Sequence, residues 1–129
     1  MGRRKLREEI FKLLFERELI DNDMDVRLAE VLSENNITKE EDIEFMREYI
    51  KNVIEHKESI EDKIKSKLVG WSFDILGTVE KTLLKMSFYE ITEAGTGHEI
   101  VINETVELAK KYGEDKTPAS VVINEAVEL

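Results

Sequence analysis

Apolar residues recur along this chain at intervals of three and four, and no stretch alternates strictly with a period of two. Leu6, Ile10, Leu13 and Leu14, with Phe11 beside them, form the first stripe of an amphipathic helix. The DND at 21–23 breaks that helix and supplies a cap for a second one carrying Met24, Leu28, Val31 and Leu32. Thr38 and Glu41 have the spacing of a capping box, and the longer helix behind them carries Ile43, Met46, Ile50, Val53, Ile54 and the stem of Lys57. Ser59 with Asp62 offers another start, leading to Ile60, Ile64 and Leu68, with Gly70 as its stop.

Ser72 is positioned to cap the segment FDILGTVEKTLLKMSFYEI. Its apolar residues Ile75, Leu76, Val79, Leu83, Met86, Phe88 and Ile91 occupy two flanks rather than one, which predicts a central helix buried on several sides. EAGTGHE reads as a loop. Ile102, Val106 and Ala109 form one more helical face, ended by Gly113, and Thr117 with Pro118 opens a last helix. The expectation is an all-α chain, with no linker or domain boundary between 1 and 129. VINETVEL at 101–108 returns as VINEAVEL at 122–129. Two units of eight residues do not make a solenoid, and we read them as two short amphipathic segments.

Composition narrows the function. Apolar residues make up 41% of the 129, enough for one core, and no run of about 18 apolar residues could span a bilayer. No leader pattern opens the chain, so the expectation is a cytoplasmic protein. Cysteine is absent, which excludes disulfides, thiolate nucleophiles and zinc–cysteine sites. The two histidines, His56 and His98, have no metal-ligand spacing, and GTG at 95–97 is too short for a phosphate loop. Trp71, after a helix stop, suits core packing better than base stacking. Nothing here calls for a catalytic centre, a metal or a cofactor.

Charge supplies the one sharp signal. The chain carries a formal −10, yet Arg3, Arg4, Lys5 and Arg7 crowd its first seven residues; taking those four away from −10 leaves −14. At about 100° per residue, Arg3 and Arg7 fall on the same helix face as Ile10 and Leu14. A guanidinium cannot be buried there without partners, so either the first turn projects past the core or residues 1–6 form an unwound arm. Cations are also unfavourable at a helix N-terminus. Folding supplies no reason for them, whereas a polyanion does: arginine forks onto phosphate oxygens and stacks on bases. The plainer alternative is a charged terminus that only aids solubility.

GRRKLREEIFKLLFE, LGTVEKTLLKMSFYEI and VINETVELAKKYGEDK, in that order and spacing, resemble the NusB family of bacterial transcription antitermination factors. The resemblance implies one compact all-helical domain of two packed bundles and a non-enzymatic role. It also implies recognition of single-stranded boxA RNA in ribosomal RNA transcripts, jointly with NusE, a small-subunit ribosomal protein, within the antitermination complex of RNA polymerase. It places RNA contacts on Arg3, Arg4, Lys5 and Arg7, and Asp115 in the RNA-side loop. The partner surface falls on Glu80, with Lys81 and Tyr89 nearby. The family's usual Phe-Val-Asn-Gly helix is replaced here by TPASVVINEAVEL, so contacts of that helix are not carried over. Two alternatives stand beside this: an RNA-targeting domain like that of ribosomal RNA cytosine methyltransferases, and a protein-interaction module, homodimeric or not. If all four cations met phosphates, log affinity would fall with log salt at a slope of about −3.

Overall fold

The computed structural model describes residues 2–68 and 72–113, and these fold as six α-helices and one 3-10 turn, with no strand among them. The helices are α1 (Arg3–Leu19), α2 (Met24–Glu34), α3 (Glu40–Glu55), α4 (Lys57–Lys67), α5 (Thr78–Thr92) and α6 (His98–Tyr112); the 3-10 turn is Phe73–Ile75. Gly70, Trp71, Asp115, the Thr117–Pro118 helix start and the second VINEAVEL segment lie outside the described residues. The chain divides into two compact units, 1–55 and 56–129. None of the described helices is long and apolar enough to cross a membrane.

In the first unit α1 packs on α2 and α3. Leu6, Ile10, Phe11, Leu13 and Leu14 of α1 are buried, as their spacing predicts, together with Leu28 and Val31 of α2 and Met46, Ile50 and Val53 of α3. Tyr49, missing from the predicted stripe, is 1% exposed. The break at 21–23 is built as expected. The Asp23 carboxylate accepts from the backbone N–H groups of Asp25 and Val26, satisfying two donors that the helix leaves open. The end of α2 is a Schellman turn. Ile37 N–H donates to the Leu32 carbonyl at 2.9 Å and Asn36 N–H to that of Ser33 at 3.2 Å. Asn36 takes the left-handed φ of 53° that this turn needs, and Ile37 behind it is buried.

A fork of charge ties α1 to α2. Arg27 donates Nε to Glu16 Oε2 at 2.7 Å and a terminal nitrogen to Oε1 at 3.0 Å, while Asn22 Nδ2 reaches the same carboxylate at 2.6 Å. Arg17 donates to the Asn22 carbonyl at 2.8 Å. The guanidinium hydrogen bonds hold the Glu16 carboxyl below the usual carboxylate range, and the Glu16 bond raises Arg27 further above neutrality.

In the second unit α5 packs on α4 and α6. All nine residues from Thr82 to Glu90 are buried, which confirms a helix enclosed on several sides. Its polar groups are satisfied from within the unit. Lys85 Nζ lies 2.9 Å from Glu61 Oε2 on α4, Thr82 donates to the Thr78 carbonyl, Ser87 to that of Leu84, and Thr96 to the Glu90 carboxylate. Ile60 and Ile64 of α4 are fully buried.

Three boundaries and one buried face differ from expectation. The segment predicted as one helix from Ser72 is interrupted at Leu76 and Gly77, so α5 starts at Thr78 and Ile75 stands 75% exposed. Lys57 opens α4 instead of extending α3, because the two helices meet at His56. The loop after α5 is shorter than EAGTGHE: Gly95 takes a φ of +73° and α6 begins at His98. The buried face of α6 is Val101, Thr105, Leu108 and Ala109, one position round from the predicted Ile102 and Val106. Thr105 sits in that face because its hydroxyl donates to the Val101 carbonyl at 2.6 Å, so no polar group is left bare.

The Glu16 fork sets a pH dependence. A carboxyl whose folded pKa is depressed contributes stability above its unfolded value, near 4.5, and loses it as pH falls through the lower folded value. Glu16→Gln should therefore destabilise the protein by about 1 kcal/mol at pH 7, with the gap to the wild type closing below about pH 4. Thermal melts of both proteins between pH 7 and 3 measure this.

Candidate nucleic-acid interface

The basic end is not an unwound arm: its first turn is regular helix, with Arg3, Arg4 and Lys5 exposed ahead of the buried Leu6. Helix α1 begins at Arg3, with Gly2 in extended conformation as its N-cap and the Leu6 N–H donating to the Gly2 carbonyl at 3.1 Å. Its first turn holds no acid. The positive pole of the helix and three cationic side chains therefore coincide, an arrangement that costs folding energy and attracts anions.

The puzzle of two arginines on the apolar face is solved by an aromatic ring. The Arg3 guanidinium carbon lies 3.8 Å from the centroid of Phe45 on α3, and that of Arg7 lies 5.8 Å from the same ring. Phe45 is half-buried and sets its edge against Tyr49, with centroids 5.7 Å apart and planes at 74°. The ring's electron-rich face attracts each cation by about 0.5–2 kcal/mol. Arg7 is 8% exposed, whereas Arg3 and Arg4 are exposed.

Lys5 belongs to a different stripe. Its Nζ is 3.2 Å from Glu9 Oε2 and 3.4 Å from Glu8 Oε1, and Lys12 meets Glu9 from the next turn at 3.2 Å. The Glu9 hydrogen bond raises the Lys5 pKa, so the ammonium is fully charged at neutral pH but already partnered. The four cations thus separate into an outward pair, Arg3 and Arg4, a buried Arg7 and a neutralised Lys5. Phe45 is the residue that pattern reading passed over. Its only signal was an aromatic one position before Met46, off the α3 stripe.

The residues expected to meet a protein partner lie in the second unit. Glu80 stands at the third position of α5 and folds back over its N-cap, so closely that a β-carbon on Gly77 would lie 2.6 Å from Oε2. That is where an acid suits a helix start. Lys81 is half-buried, with Nζ 5.5 Å from the Phe73 ring; Lys65 approaches that ring to 5.7 Å. Tyr89 is 6% exposed and supports the helix from inside rather than offering contact area. Nine positions put it about 180° around α5 from Glu80. Among the described residues no group of three His, Asp or Glu side chains is placed to hold a metal. His56 Nδ1 and Glu93 pair at 2.8 Å on their own.

The NusB family profile matches residues 4–118. The transcription antitermination protein NusB of Carboxydothermus hydrogenoformans is 36% identical over 123 residues, covering 92% of this chain and 85% of that protein. Among solved structures, T. maritima NusB superposes with a TM-score of 0.86 at 30% identity, covering 99% of this chain and 89% of the other. A crystal structure of antitermination factors NusB and NusE with double-stranded RNA shares the fold, with a TM-score of 0.83 at 24% identity over 98% of this chain and 92% of that one.

The place of Glu80 at the positive pole of α5 has a measurable consequence. Glu80→Ala should lower stability by about 0.5–1 kcal/mol, and the loss should shrink at high salt, where the helix-end field is screened. Denaturant melts at low and high ionic strength report both.

Proposed function

The chain belongs to the NusB family, and from that we propose that it is a transcription antitermination factor. In this reading it is a non-enzymatic adaptor that binds boxA-type single-stranded RNA of ribosomal transcripts together with NusE, within the RNA polymerase antitermination complex. It works in the cytoplasm, where transcripts are made, and both units serve one RNA-binding domain. One observation carries the reading: an acidic chain keeps Arg3 and Arg4 exposed on a regular helix whose N-terminal pole is itself positive. A helix optimised for stability alone would carry acids there.

Direct phosphate contact is assigned to Arg3 and Arg4. Lys5, shared between Glu8 and Glu9, must give up those partners to reach a phosphate, and Arg7 acts from below the surface. Asp115 retains its RNA-side role through the family resemblance alone. The partner surface is assigned to Glu80 and Lys81, with Tyr89 behind them. A net charge of −10 favours encounter with a basic ribosomal protein, since complementary potentials raise association rates.

The test is binding of labelled boxA RNA, single-stranded and duplex, with and without NusE. Deleting residues 1–7 would remove the fully buried Leu6, so point variants are the sharper tool. Arg3→Ala with Arg4→Ala should flatten the log affinity against log salt slope by about 1.4, at roughly 0.7 per phosphate on a single strand. Lys5→Ala should change it less. A slope that the double variant leaves untouched would remove these residues from the RNA site.

A further inference from the structure

We propose that Arg3 and Phe45 together form a stacking subsite for one unpaired nucleobase, with Phe45 as the positioning residue. The inference rests on the RNA-binding reading above and adds what the first turn of α1 does beyond neutralising phosphate. A guanidinium carbon 3.8 Å from a ring centroid is at stacking distance. Lying on a ring occupies one face of the guanidinium and leaves its five in-plane N–H donors unspent. Arg3 is exposed, so a ligand can reach it from solvent.

The shelf beneath it is fixed. Phe45 meets Tyr49 edge to face, and Tyr49 is 1% exposed and part of the core, so the ring is braced from that side. Arg7 flanks the same ring at 5.8 Å from its buried side, which leaves the outer portion to Arg3. An unrestrained arginine loses much of its rotamer freedom when it docks; one already laid on Phe45 loses less. A cation between two π-faces is attracted to both, and any base supplies such a face, whichever its identity. The ligand class is therefore an unpaired base of a single strand. Paired bases, already stacked within a duplex, do not enter.

Phosphate contact alone predicts that lysine replaces Arg3 without loss, because the charge is kept. The stacking subsite predicts otherwise. A short single-stranded boxA-type oligoribonucleotide and a set of versions with an abasic nucleotide at each position in turn are titrated against wild type, Arg3→Lys and Phe45→Leu full-length proteins. One abasic position should weaken wild-type binding about tenfold, and both variants should bind the intact RNA about tenfold more weakly while becoming indifferent to that position. Their salt slopes should equal the wild-type slope, since no charge has changed. Arg3→Lys leaves the core untouched, so it decides the matter even if Phe45→Leu melts early. Wild-type binding with no sensitive abasic position, or with Arg3→Lys equal to wild type throughout, overturns the subsite and leaves the function standing. No binding of any RNA by wild type overturns the function and the subsite with it.

Discussion

A positive charge on an apolar helix face must find an electron-rich partner, and in the first unit Phe45 supplies one to both arginines of that face. Arg7 sits 8% exposed beside buried Ile10 and Leu14, where a guanidinium without partners would carry a large desolvation cost. Helix α1 begins at Arg3 as regular helix, and both guanidinium groups on that stripe lie over one ring. The ring is in turn held by Tyr49 from the core. The order of dependence runs from core to surface: Tyr49 orients Phe45, Phe45 seats the arginines, and the exposed arginine edge is what an anion meets.

The same rule recurs in the second unit in a different chemistry. Helix α5 is buried through nine consecutive residues, two of them charged. Lys85 is matched by Glu61 from α4, and Glu90 by the Thr96 hydroxyl from the turn that follows. Removing one member of the Lys85 pair should cost more than replacing both by apolar residues. Such a pair fixes which faces of α4 and α5 meet rather than how strongly they meet. At the helix start the Glu80 carboxylate lies close over Gly77, so a residue expected on a partner surface also sits at the positive pole of the helix that presents it.

The cations of α1 show how proximity in sequence can mislead about proximity in effect. Four basic residues in seven look like one patch, but helical geometry sends Lys5 to the side of Glu8, Glu9 and Lys12, where a ladder of alternating charges neutralises it. Arg3 and Arg4 remain on the outside. A smaller outward charge, seated and directed, suits recognition better than a larger diffuse one, because a held guanidinium offers both a plane and a set of donors.

The chain by itself determined the helical class, the first-unit core and the turn at 21–23, because a 3.6-residue period and a capping carboxylate act within one turn of helix and need no neighbour. It also marked the basic end as a feature that folding alone does not require. It could not show that Gly77 rather than Ser72 opens α5, since both residues permit a start and only the placement of Glu80 over Gly77 separates them. Nor could it orient α6: Thr105 reads as polar until its hydroxyl is seen bonded to the Val101 carbonyl. Which arginine is buried, which lysine is neutralised and what Phe45 is for were decided by tertiary structure alone. Those questions turn on which side chain from a distant helix arrives within a few ångströms, and electrostatic partnership depends on distance in space, about which spacing along the chain is silent.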